Sequence, residues 1–222
     1  MAKAAREINE EAREEVKEVV TIKPLKFDLI ELTLVGTSPF MQARFSKKAS
    51  EMMKEKMMAG PTAKKGRERK ARDFDDDFRE AQHISSAGWN GIPASSFRNA
   101  CIDVCRMVGF KMTHAKMSIF IEADGLDKVD GTPLVRLIAD RPEKSEMMVR
   151  NATGVADIRV RPLWREWTIN LRIKFDADQF TINDIVNLMS RAGQQVGIGE
   201  GRPFSKSSNG LGFGTFRIKG VD

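Results

Sequence analysis

Trp167 to Phe175 alternates without a break. Trp167, Ile169, Leu171, Ile173 and Phe175 fall on one side, and Asn170, Arg172 and Lys174 on the other. Such a pattern specifies a strand with one covered face and one open face. Phe27 to Val35 is a second run of this kind. Phe27, Leu29, Glu31, Thr33 and Val35 alternate with Asp28, Ile30, Leu32 and Leu34, and Gly36–Pro39 ends it. Two helical patterns supply cover for a sheet. Pro93 to Gly109 has Ser95 or Ser96 as its cap and Phe97, Ala100, Cys101, Val104, Cys105 and Val108 as its apolar face. Thr181 caps the other, with Ile182, Ile185, Val186 and Met189 facing inward. Lys116 to Ala123, Pro133 to Ala139 and Phe213 to Ile218 read as further strands. Phe40 to Ala87 shows little core character, although Ser46 to Met58 reads as a Met-rich helix. Without its insertions the order is β-α-β-β-α-β, the ferredoxin-like α+β pattern.

With 41% hydrophobic residues in 222, the chain has material for a core and is not wholly disordered. No stretch approaches 18 apolar residues, so no membrane-spanning helix and no membrane partner is expected. Met1 to Val20 is charged and lacks a signal-peptide core. Cytoplasmic residence, in a bacterial or phage-infected cell, is the expectation. Residues 1–24 read as a charged helical tail with a thin stripe of Ile8, Ala12, Val16 and Val19. It is either a partly ordered tail or a helix that docks on a neighbouring subunit. Residues 25–222 form one domain, with insertions at about 40–87 and 140–163. Cys101 and Cys105 lack a second pair, which favours buried thiols over a zinc site.

The formal charge of +6 is an average over very unequal segments. Phe40 to Arg72 holds eleven basic residues against three acids, a net of +8. Arg44, Lys47, Lys48, Lys64, Lys65, Arg67 and Arg69 belong to it, along with Phe45 and five methionines. A solvated face is the plain alternative; the composition also suits an element that grips phosphates. Residues 141–172 carry +3, with Arg150, Arg159 and Arg161 as phosphate ligands and Trp164 open to stacking. Trp167 belongs to the core through its place in the alternation. Residues 191–219 carry +4, which leaves −9 for the rest. The chain is an acidic scaffold with three basic arms.

Glycines at 193, 197, 199, 201, 210, 212 and 214 crowd the segment before the last strand. Gly197 and Gly199, beside Arg202 and Lys206, could present backbone N–H groups to phosphates. They could equally serve tight turns. A dinucleotide fingerprint needs a strand before the glycines and a helix after them; here the order is reversed. Ser95, Ser96, Arg98 and Asn99 occupy a first helical turn, where free N–H groups favour anions.

Three segments together resemble a known family. Gly197–Pro203 (GIGEGRP) with Asn209–Phe216 (NGLGFGTF) looks like the C-terminal glycine-rich motif of the RAMP superfamily, the RRM-like backbone subunits of CRISPR effector complexes. Gly91–Ala100 (GIPASSFRNA) resembles that family's helix start. Val35–Phe40 (VGTSPF) is similar to the end of its first strand. Ala94 and Asn99 replace the usual glycines, and the glycine loop is longer. The chain also resembles bacteriophage proteins carrying the same segments, which suggests a phage or mobile-element relative. The resemblance implies an RRM-like core, single-stranded nucleic acid as partner, a thumb hairpin around Arg150, Asn151, Arg159 and Arg161, and copies arrayed along the strand as a filament.

Support for catalysis is thin. His83 is one of two histidines, and tyrosine is absent. Asp73, Asp75, Asp76 and Asp77 could bind a divalent cation. The sequence therefore points to a non-catalytic protein that grips the backbone of single-stranded RNA or DNA largely without sequence specificity, with copies of itself or other subunits of a nucleoprotein complex as partners, and without cofactor or metal. Two alternatives stay open. One is a nuclease of the same fold using His83 or the Asp73–Asp77 cluster, with Asp75 and Asp76 foremost. The other is an assembly subunit or inhibitor whose basic face meets an acidic protein.

Overall fold

The computed structural model describes residues 22–45, 47–59, 72–150, 156–204 and 210–221. The N-terminal helical tail read from the sequence lies outside them.

The two alternating runs pair with each other. β1 (Phe27–Gly36) lies antiparallel to β9 (Thr168–Asp176), with Leu32 opposite Leu171 and Leu34 opposite Ile169. β10 (Phe216–Ile218) flanks β1, and β4 (Ile119–Glu122) flanks β9, so the central sheet runs β10-β1-β9-β4. All its pairings are antiparallel. Ile169, Leu171, Ile173 and Phe175 are buried to 1% exposure or less, as the alternation predicts. On β1 the even-numbered residues Leu32 and Leu34 turn inward.

Two helices cover that face. α3 (Ala94–Met107) buries Phe97, Ala100, Cys101, Val104 and Cys105, and α5 (Ile182–Arg191) buries Ile185, Leu188 and Met189. Val108 and Ile182, expected on these faces, sit at the helix ends and are exposed. Thr181 closes a capping box with Asp184, whereas α3 has Pro93 at its cap and no side-chain capping bond. Neither Ser95 nor Ser96 caps it, because the helix already begins at Ala94. α5 runs on into a wide turn, Ala192–Val196.

The expected strand Lys116–Ala123 is a strand only in its second half. Met112–Ser118 forms a short helix, α4, that buries Ala115 and Ser118. A four-residue alternation fits either periodicity. β6 (Pro133–Arg136) leaves the main sheet and joins β3 (Gly91–Pro93) and β5 (Gly125–Leu126) in a small one. A third sheet consists of β2 (Phe40–Met41), β8 (Ala156–Trp164) and β7 (Glu143–Arg150). Phe40 and Met41, in the segment read as poor in core, are 1% and 0% exposed. α1 (Lys47–Ala59) and α2 (Phe74–Glu80) complete the described elements. Among the described residues, no helix is long and apolar enough to cross a membrane.

Candidate nucleic-acid interface

Period-2 geometry puts Asp157, Arg159 and Arg161 on one face of β8. The neighbouring strand is β2, whose Phe40 stacks on Trp164 with ring centres 5.5 Å apart. Gln42, 3% exposed, then anchors the chain as it leaves β2. Its amide donates to the Gly91 carbonyl at 2.8 Å, and its side-chain oxygen accepts from the His83 N–H at 2.8 Å. Arg44 emerges two residues later, and its N–H donates to the Ala81 carbonyl at 3.0 Å.

These segments enclose a cleft of about 430 Å³. Arg44, Arg72, Arg159 and Arg161 line it, with Phe45, Asp77 and two alanines. Phe45 is 61% exposed. Four arginines and one open aromatic ring thus line a single cleft. Three of the four arginines stand among the sequence-predicted site residues. Arg72 was legible only as part of the basic run.

The arginines are held in place by carboxylates. Glu200 accepts from Arg161 Nε at 2.6 Å and from Arg159 Nη1 at 3.1 Å. Arg72 bonds Asp77, and its Nη1 donates to Asp157 at 2.8 Å. These contacts push the Arg72 guanidinium further up, Asp77 foremost. Glu200 and Asp157 do not line the cleft. A guanidinium has five N–H donors, so one or two carboxylate bonds leave others to point outward.

Arg44 is the buried member, with its side chain 7% exposed. Its Nε lies 3.6 Å from Asp127 Oδ2, and Nη2 lies 3.6 Å from Asp130 Oδ2. The Nε atom has no hydrogen-bond partner among the described residues. Asp127, 1% exposed at its side chain, also meets His83 Nδ1 at 2.8 Å and accepts from the Val129 N–H at 2.8 Å. Asp130 is held below the usual carboxylate range, chiefly by hydrogen bonding to Thr132, with Arg44 and His83 adding to it.

Several backbone amides of the glycine loop bond within the fold. The Gly197 N–H donates to Ala192, that of Ile198 to Gly214, that of Glu200 to Met41 and that of Gly214 to Pro39. These amides are spent on the fold. Gly199 (φ +80°) and Gly214 (φ +69°) are in the left-handed region, and a Cβ there would collide with the Met41 and Ile198 carbonyl oxygens respectively. At these two positions glycine is required because backbone packs on backbone. Arg202 turns back to the Phe204 and Gly199 carbonyls, at 3.0 and 3.2 Å.

Other expected residues lie elsewhere. Trp164 is 2% exposed, so it is core and offers no stacking face. Arg98 donates from Nε to the Ile119 carbonyl at 2.8 Å and also bonds the Lys116 carbonyl, which ties α3 to α4 and β4 rather than to a phosphate. Ser95, Ser96 and Asn99 do not line the cleft. Lys64, Lys65, Arg67, Arg69 and Lys206 lie outside the described residues, as do the side chains of Lys47, Lys48 and Arg150. The aspartate cluster is dispersed. Asp73 caps α2, Asp75 meets Lys144 at 2.7 Å, Asp76 meets Arg79 and Asp77 meets Arg72. Lys144 draws Asp75 below the usual carboxylate range. Among the described residues, no group of three or more His, Cys, Asp or Glu could hold a metal ion.

No protein-family model matches the chain, and no curated protein does. Among solved structures, a chain from the cryo-EM structure of the Type III-B Cmr-beta bound to cognate target RNA superposes with a TM-score of 0.46 and 11% identity. The match covers 99% of this chain and spans 66% of that one.

Proposed function

We propose that the protein binds single-stranded nucleic acid, RNA or DNA, by gripping its phosphates in the arginine-lined cleft. The observation that carries this reading is the convergence of Arg44, Arg72, Arg159 and Arg161 with exposed Phe45 around one opening. Arginine forks match phosphate oxygens, and an open aromatic ring stacks a base of any identity. The central sheet order β10-β1-β9-β4, with α3 and α5 on one face, supports a ferredoxin-like, RRM-like core of the RAMP type. Copies aligned along the strand, or other subunits of a nucleoprotein complex, would extend the grip.

The test is fluorescence anisotropy of 20-nucleotide RNA and DNA strands at two salt concentrations. The reading predicts binding that weakens steeply with salt. Absent binding, or binding indifferent to salt, would overturn it.

One contact favours strand cleavage as a second reading. Asp127 holds His83 by Nδ1 at 2.8 Å, which leaves the other ring nitrogen for acid–base work. Strand cleavage abolished by His83→Ala would support it; an uncut strand after prolonged incubation would remove it.

A further inference from the structure

The open face of the central sheet carries a second, larger cleft of about 670 Å³. Glu31 of β1 and Asn170 and Arg172 of β9 form its floor, and Trp89, Asp124 and Arg136 stand at its side. Cross-strand register puts Glu31 opposite Arg172 and Thr33 opposite Asn170. Glu31 and Asn170 are therefore diagonal neighbours on one face, roughly 7–8 Å apart.

The hydrogen-bonding state of these groups is uneven. Arg172 is engaged, with Nη2 3.1 Å from Asp124 Oδ1 and Nε 3.5 Å from Glu122. Asp124 also accepts from the Arg136 backbone N–H at 2.8 Å. Asn170 uses its oxygen to accept from Thr33 at 3.1 Å, and its amide N–H₂ has no partner among the described residues. Neither the Glu31 carboxylate nor the Arg136 guanidinium makes a hydrogen bond or ion pair among those residues. One free carboxylate, one free guanidinium and one free amide thus border the same space. Trp89 is half-buried and held in place by missing side chains: a Cβ on Gly91 or Gly125 would come within 2.8 or 2.9 Å of its ring.

We infer that this cleft is a nucleobase subsite selective for guanine. A planar ring beside unsatisfied donors and an unsatisfied carboxylate is the chemistry of base recognition. Guanine presents two adjacent donors, N1–H and the N2 amino group, which a carboxylate such as Glu31 accepts together. Its O6 and N7 are acceptors that an arginine such as Arg136 can donate to. Uracil offers the Glu31 carboxylate a single N3–H flanked by two carbonyl oxygens that repel it, against guanine's two adjacent donors. Resting on the strand-binding reading, the subsite gives a backbone grip a preference at one position, which the charge pattern of the sequence did not suggest.

Mononucleotides test it, because they lack the strand that the arginine cleft holds. Trp164 and Trp167 are 2% and 3% exposed, so a change in tryptophan fluorescence on adding ligand reports on Trp89. GMP is expected to quench saturably and to bind at least about tenfold more tightly than UMP, with Glu31→Gln erasing most of that ratio. Trp89→Phe should remove the quench while GMP binding persists by calorimetry. Equal response to GMP, AMP, CMP and UMP, or no response to any, overturns the inference. So does a GMP preference unchanged in Glu31→Gln. Salt-sensitive oligonucleotide binding that persists without a mononucleotide response would sink the subsite and leave the strand grip. GMP binding without oligonucleotide binding would do the reverse.

Discussion

Glu200 bridges two arginines of one strand: its carboxylate accepts from Arg161 at 2.6 Å and from Arg159 at 3.1 Å. Its own N–H donates to Met41 at 2.9 Å. One residue of the glycine loop thus fixes the β7–β8 pair and the exit of β2 against each other, and both border the arginine cleft. The pair is four-fifths buried on both sides, with Arg161 at 20% and Glu200 at 17% exposure. Removing Glu200 leaves the shielded Arg161 and the more open Arg159 without this acceptor. Glu200→Ala should cost about 1–3 kcal/mol in urea unfolding. A double-mutant cycle with Arg161→Ala should return a coupling of about 1 kcal/mol or more. Additive losses would mean the contact does not hold the hairpin.

The packing of the glycine loop makes a graded prediction. Gly214 has a positive φ and the Ile198 carbonyl where a Cβ would go, whereas Gly212 (φ +77°) has open space. Gly212→Ala should cost about 1 kcal/mol for backbone strain alone. Gly214→Ala should cost at least about 2 kcal/mol more than that, since backbone must move as well. Equal midpoints for the two variants would contradict the account of the loop.

The capping box at α5 sets an acid limit. Hydrogen bonds from the Thr181 N–H and hydroxyl hold the Asp184 carboxylate below its ordinary value of 3.8. A lowered folded-state value means the unfolded chain takes up its proton first. The contribution is complete above 3.8 and is lost as pH falls through the lower folded value. Thr181→Ala should cost about 1 kcal/mol at neutral pH. Asp184→Asn removes the titrating carboxylate and should flatten the acid-induced decline in melting temperature below pH ~4. A parallel decline in the variant would argue against the cap.

Burial pushes the Cys101 thiol up to about 12 and raises that of Cys105 as well. Neither is a ready thiolate at pH 8. Iodoacetamide should leave both unmodified in the folded protein and alkylate both in urea, read by intact mass. Rapid labelling of the folded protein would show that α3 opens.

Much of the fold was legible because period-2 and period-3.6 signals are strong where one face is buried. Trp167–Phe175 and Phe97–Cys105 are such segments, and both lie where the spacing put them. α4 was hidden because Met112–Ser118 is too short to separate the two periods. Phe40 and Met41 were missed as core because only two residues pair with β8. At the site, counting basic residues found Arg44, Arg159 and Arg161, but not which carboxylates hold them. Asp127 and Glu200 lie 83 and 39 residues from the arginines they meet, and no local pattern announces such partners. Charge also overstated the number of free cations, since Arg165, Arg172 and Lys144 are all paired.

The most direct test of the strand grip is the salt slope of single-stranded RNA binding, for the native chain and for Arg159→Ala/Arg161→Ala. Each phosphate contact contributes about 0.7 to the slope of log affinity against log salt. The account predicts weaker binding in the double variant and a slope shallower by about 1.4. Identical affinity and slope in the two proteins would contradict it.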